Sequence, residues 1–90
     1  MATLIAIDGT EKNVFPRNGM DFKLEELQGF VDGYIETIML SDKELMVVNE
    51  EGLLFGLPLN KRATKMMSDK KGVYYPIVGN ALVCENGQIL

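Results

Sequence analysis

Ninety residues, 47% of them apolar, with a net charge of −4, one cysteine and no histidine, describe one small domain spanning residues 1–90. That apolar share excludes a disordered chain. No apolar run exceeds four residues, and those at 4–7, 38–40 and 53–55 fall far short of the ~20 residues of a membrane-spanning helix, so no membrane association is expected. The acidic balance argues against a nucleic acid polymer as partner, because such binding draws on many Lys/Arg–phosphate contacts.

In chain order, residues 3–7 read as a strand, Asp8-Gly9 as a turn, and 12–15 as the returning strand of a hairpin that Pro16 ends. Asn18-Gly19 turns the chain again. Asp21 then reads as the N-cap of a helix with Glu25 and Glu26 in its first turns. Leu24, Leu27, Phe30 and Val31 recur at helical spacing and place one face on a sheet, and Gly33 suits the stop. Residues 34–40 and 44–49 read as a second hairpin around Ser41-Asp42-Lys43. A turn at Glu50-Glu51-Gly52 leads into a third strand at 53–55, which completes a meander.

Asn60 is the candidate N-cap of a second helix running to about Met67, with Ala63, Met66 and Met67 facing inward. Residues 68–72 read as a lysine-rich loop. Late strands follow at 73–75 and 77–84, with Pro76 marking an edge or bend. Asn86-Gly87 is a turn signal that would fold 88–90 back as a final short strand. The plan is α+β: an antiparallel sheet of five to seven short strands with two short helices on it.

Charge is unevenly spread. Residues 1–60 carry eleven acids against four bases, whereas 61–71 carry Lys61, Arg62, Lys65, Lys70 and Lys71 against Asp69 alone. A helix start presents unpaired N–H groups and a partial positive charge, so Asn60, Lys61 and Arg62 make a candidate site for a phosphate or carboxylate. Arg62 offers a bidentate fork and Lys61 a flexible second charge. The structural alternative makes Asn60 a cap and pairs the cations with Glu50 or Glu51.

Tyr74 and Tyr75, just past the lysine-rich stretch, suit stacking on a nucleobase, although one of two successive strand residues must face inward. Gly79-Asn80 interrupts an apolar run and suggests a bulge. Asn80 either points at a ligand or satisfies local backbone groups. Tyr34, Met39, Met46, Met66 and Met67 read as core. Cys84 reads as a small buried hydrophobe, and the chain supplies no metal-ligand set, cofactor motif or nucleophile–base pair.

The ordered blocks Gly33-Tyr34-Ile35-Glu36, Val47-Val48-Asn49-Glu50-Glu51-Gly52, Gly56-Leu57-Pro58-Leu59-Asn60-Lys61-Arg62-Ala63-Thr64 and Ile77-Val78-Gly79-Asn80-Ala81-Leu82-Val83 resemble a family of small phage-, plasmid- and bacterium-encoded domains of unknown function. The resemblance covers nearly the whole chain. It implies a mobile-element origin, a phage for preference, and a role in the cytoplasm of the host cell, with no assigned activity or catalytic residues. Small phage proteins of this kind often counter host defences, some by sequestering nucleotide-derived immune signals.

Two functions are therefore expected in competition. One is a non-catalytic homo-oligomer that sequesters a phosphate-bearing small molecule through Asn60, Lys61, Arg62, Tyr74, Tyr75 and Asn80. The other is an acidic module that docks on a host protein. The lone cysteine and the absence of a basic N-terminal leader fit a cytoplasmic location. An enzymatic reading is weakest.

Overall fold

The computed structural model describes residues 2–89. β1 (Ala2–Ile5) and β2 (Glu11–Val14) form the expected N-terminal hairpin, paired from Ala2 opposite Val14 to Ile5 opposite Glu11. Its turn closes because Gly9 takes φ +91°, donates to the Ala6 carbonyl at 3.0 Å, and lets Asp8 Oδ1 accept from the Thr10 N–H at 2.9 Å. Hydrogen bonds from the N–H and then the hydroxyl of Thr10 hold the exposed Asp8 carboxyl below its ordinary pKa.

α1 (Leu24–Val31) starts two residues later than expected, with Lys23 at the N-cap in place of Asp21. The reason is Phe22. Its fully buried ring drives the chain through the core, and its backbone bridges to Ile89 in parallel. Asp21 instead accepts from the Asn18 side chain at 2.8 Å. Glu26 anchors the helix start, accepting from the Arg17 N–H at 2.9 Å and the Lys23 N–H at 2.8 Å. Leu27 and Val31 are buried on the inward face, whereas Leu24, expected with them, is exposed. The left-handed stop falls on Asp32 at φ 66° and not on Gly33.

Gly33 is needed for a different reason, since a Cβ there would lie 2.8 Å from Asn49 Nδ2. That amide, buried at the end of a strand, donates to the Val31 carbonyl at 3.0 Å. Its Oδ1 accepts from the Glu51 N–H at 2.8 Å. One side chain thus satisfies an orphan carbonyl of α1 and sets the following turn.

β3 (Ile35–Met39) and β4 (Glu44–Asn49) form the second hairpin. The expected third strand at 53–55 is absent: Phe55 donates to the Glu51 carbonyl at 3.0 Å and Leu57 to the Gly52 carbonyl at 2.9 Å, a coil of turns. The place beside β4 belongs to β5 (Ala81–Glu85), giving an all-antiparallel sheet in the order β2-β1-β5-β4-β3. The fold is α+β with five strands, within the expected range.

α2 (Lys61–Lys71) runs through the stretch read as a lysine-rich loop and ends at Gly72, φ 76°. Residues 73–75 form no strand, and only the end of 77–84 enters the ladder, because Gly79 at φ 77° breaks it. Asn86–Gln88 is a single 3-10 turn, and of the final strand expected at 88–90 only the Ile89 bridge falls within the described residues.

The helices cover opposite faces. Phe22, Leu27 and Val31 pack with Leu45, Val47, Leu82 and Cys84 on one side. Ala63 and Met67 pack with Ile5, Met46, Val48, Ile77 and Ala81 on the other. This explains why every β4 residue after Glu44 is buried, without the in–out alternation of a one-sided sheet. Met46 and Met67 are core as expected, whereas Met39 and Tyr34 are exposed.

The donors from Lys23 and Arg17 hold the Glu26 carboxyl below its ordinary 4.5. Its stabilisation is complete above that value and is lost as pH falls through the lower folded one. Glu26→Gln should therefore lower Tm at neutral pH and flatten the fall of Tm on acidification below about pH 5, as read by circular dichroism. Burial pushes the Cys84 thiol up to about 11. A maleimide at neutral pH should label the native protein at least ~100-fold more slowly than the denatured chain.

Candidate functional site

The block Gly56–Thr64 folds against the block Ile77–Val83. Leu59 bridges antiparallel to Val78, Gly79 donates to the Pro58 carbonyl at 2.8 Å, and Asn60 donates its N–H to the Ile77 carbonyl at 2.8 Å. Gly79 is favoured for its positive φ of 77°, and a Cβ there would also press on the Leu57 Cδ1 methyl at 2.9 Å. Thr64, one turn into α2, accepts from the Ile77 N–H at 2.8 Å and donates to its carbonyl at 3.2 Å.

Asn60 lies beneath this junction with no exposed surface. Its Oδ1 accepts from the Ala63 N–H at 3.0 Å, the cap expected of it, and its Nδ2 donates to the Ile5 and Gly79 carbonyls, both at 2.9 Å. Every polar atom of the side chain is engaged inside the protein. As a ligand group, Asn60 is thus corrected to a structural one.

Asn80 likewise holds the fold together. Its Oδ1 accepts from the Ile7 N–H at 3.3 Å, and its Nδ2 makes a long contact of 3.5 Å to the Phe30 carbonyl. The groups it satisfies are backbone ones but not local: they lie 73 and 50 residues away in sequence, where the alternative reading expects neighbours.

Lys61 and Arg62 are exposed at the start of α2 and line an open groove of about 380 Å³ with Lys65 and the hairpin turn Ile7, Asp8 and Gly9. Lys65 is the cation missing from the expected site. Its signal was present, since it stands one helical turn after Lys61 on the same face. Asn60 takes the Ala63 N–H through its side chain and the Thr64 N–H through its carbonyl, which leaves the first-turn donors of Lys61 and Arg62 open.

The groove is less basic than the sequence suggests. Arg62 Nε pairs with Glu11 of β2, not with Glu50 or Glu51, and Lys65 pairs with Asp69 at 3.2 Å. Asp8 also lines the groove. Among the described residues, Lys61 is the cation of this group with no carboxylate partner.

The tyrosines lie elsewhere. They follow Gly72, at the far end of an 11-residue helix about 16 Å long. Tyr74 is exposed, while Tyr75 is half-buried and lines a separate cavity of about 160 Å³ with Glu36, Ile38, Val48 and Leu53. Lys61 and Arg62 thus share one groove, and Tyr74 and Tyr75 are not brought to it. Among the described residues, no group of three or more His, Cys, Asp or Glu side chains is placed to hold a metal ion. None of their helices is long and apolar enough to cross a membrane.

Comparison with known proteins adds a family and no activity. No curated protein and no solved structure matches the chain. A family model described as Domain of unknown function (DUF3846) matches residues 3–88, from the first strand of the sheet to the 3-10 turn that follows the last. The chain belongs to that family.

Proposed function

We propose that this is a non-catalytic binding protein that sequesters a phosphate-bearing, nucleotide-type small molecule in the groove between α2 and the β1–β2 turn. The observation that carries the reading is the convergence of Lys61, Arg62 and Lys65 on one concavity at a helix start whose first N–H groups are open. The groove volume of about 380 Å³ falls at the small end of the ~300–1,000 Å³ typical of ligand sites. The competing carboxylates do not defeat it. Exposed ion pairs such as Arg62–Glu11 are worth roughly 0.2–1 kcal/mol, so giving up Glu11 for a phosphate costs little. A phosphate also carries more negative charge than the carboxylate it would replace.

The phage origin implied by the resemblance gives this chemistry a use, since removing a nucleotide-derived signal would blunt a host defence in the host cytoplasm. A second reading, a module that docks on a host protein, is favoured by a different observation: Leu53, Leu54 and Phe55 are all largely exposed in one turn. Host-protein docking would place function there and leave the α2 groove idle.

Isothermal titration with ADP as the phosphate-bearing probe separates these readings. Lys61→Ala and Arg62→Ala should each weaken binding by about tenfold, and Glu11→Gln, which frees Arg62, should tighten it. Binding that is absent in the wild type, or unchanged in both alanine variants, would overturn the groove as the site.

A further inference from the structure

The two edges of the sheet are unlike. β2 carries Glu11 and Lys12, is exposed along most of its length, and is followed shortly by Pro16, the devices that keep an edge from pairing with another chain. β3, at the other edge, reads Ile35, Glu36, Thr37, Ile38, Met39, with neither lysine nor proline. In the β3–β4 hairpin, Glu50 donates to the Tyr34 carbonyl and Leu40 to the Glu44 carbonyl, both at 2.9 Å. Antiparallel bonding alternates, so the even-numbered residues of β3 face β4. The N–H and C=O groups of Ile35, Thr37 and Met39 therefore point away from the sheet.

We propose that β3 pairs with β3 of a second copy of this chain across a two-fold axis at Thr37, making one continuous ten-stranded sheet. The register is self-complementary. Thr37 meets the partner's Thr37 and Ile35 meets the partner's Met39, so each outward residue both donates and accepts. The one charge on the strand, Glu36, falls opposite the partner's Ile38, so like charges are not opposed. Registers centred on Ile35 or Met39 pair fewer of the outward groups.

The apolar surface beside this edge fits the same axis. Tyr34 is 65% exposed, Leu53 76%, Leu54 77%, Phe55 64% and Met39 45%. The turn bearing the middle three sits at the Ile35 end of β3, because Glu50 continues the ladder to Tyr34 and Phe55 lines a hollow with Tyr34 and Gly33. The axis brings that end against the partner's Met39 end, where the partner's exposed Met39 extends the apolar contact. These exposed apolar side chains add to the backbone pairing that the axis provides.

Sedimentation over roughly 5–500 µM should show a species of twice the chain mass that dissociates on dilution. Thr37→Glu adds like charges at the axis on an exposed position and should raise the dissociation constant by at least about tenfold, with the circular dichroism spectrum unchanged. Asn13→Glu on the guarded edge should leave it unchanged. Hydrogen exchange should show the Thr37 N–H protected at high concentration only, while the inward-facing Ile38 N–H is protected throughout. A wild-type monomer across the whole range, or a Thr37→Glu dimer of unaltered affinity, would overturn the proposal.

Discussion

The carboxamide of Asn60 joins three parts of the chain that are far apart in sequence: the end of β1 through the Ile5 carbonyl, the break before β5 through the Gly79 carbonyl, and the first turn of α2 through the Ala63 N–H. It is fully buried, so none of these groups has water as an alternative. A paired buried hydrogen bond contributes only about 1 kcal/mol net, but each group left unpaired there costs roughly 1–3 kcal/mol. The arrangement is therefore all-or-nothing, and it fixes where α2 begins on its face of the sheet. Thr64 repeats the tie one turn later by bracketing both backbone groups of Ile77.

With α2 fixed on one face and α1 on the other, β4 is buried on both sides and β5 nearly so. Each helix has its own polar anchor at an end. Asn60 caps the start of α2, and Asn49 satisfies the end of α1. Between these anchors the core is apolar, and the described residues leave no buried side-chain polar atom unpaired. The exposed remainder falls into two regions with different chemistry: the cationic groove at the start of α2, and the apolar turn beside the β3 edge.

What was legible in the sequence was local. The hairpin turns, the Asn60 cap and the inward faces of Ala63 and Met67 depend on neighbours within a few residues. Three apolar residues at 53–55 read as a strand because composition cannot distinguish a buried run from an exposed one, and Gly52 and Gly56 in fact bracket a coil of turns. The lysine-rich end of α2 read as a loop although Gly72 was the better stop signal. Phe22 displaced the α1 cap through a bridge to Ile89, a partner no local pattern announces.

The candidate site shows the same division. Lys61 and Arg62 stand where the helix start places them, yet Arg62 finds its carboxylate on Glu11, 51 residues away. Nearness in sequence groups the tyrosines with Lys61 and Arg62, but α2 runs uninterrupted between them. The most distinctive blocks of the chain are spent mainly on Asn60, Thr64, Gly79 and Asn80, which build the junction. Distinctive residues here mark structure first and the groove second.

The most direct test replaces Asn60 by aspartate, which keeps the shape and the cap acceptor but turns the two donors into an oxygen facing two carbonyls. Chemical unfolding at pH 7 should show a loss of about 3–5 kcal/mol, shrinking as pH falls and the buried carboxyl takes up a proton. An Asn60→Asp protein within about 0.5 kcal/mol of the wild type at pH 7 would contradict the account, because helix capping alone would then explain the residue.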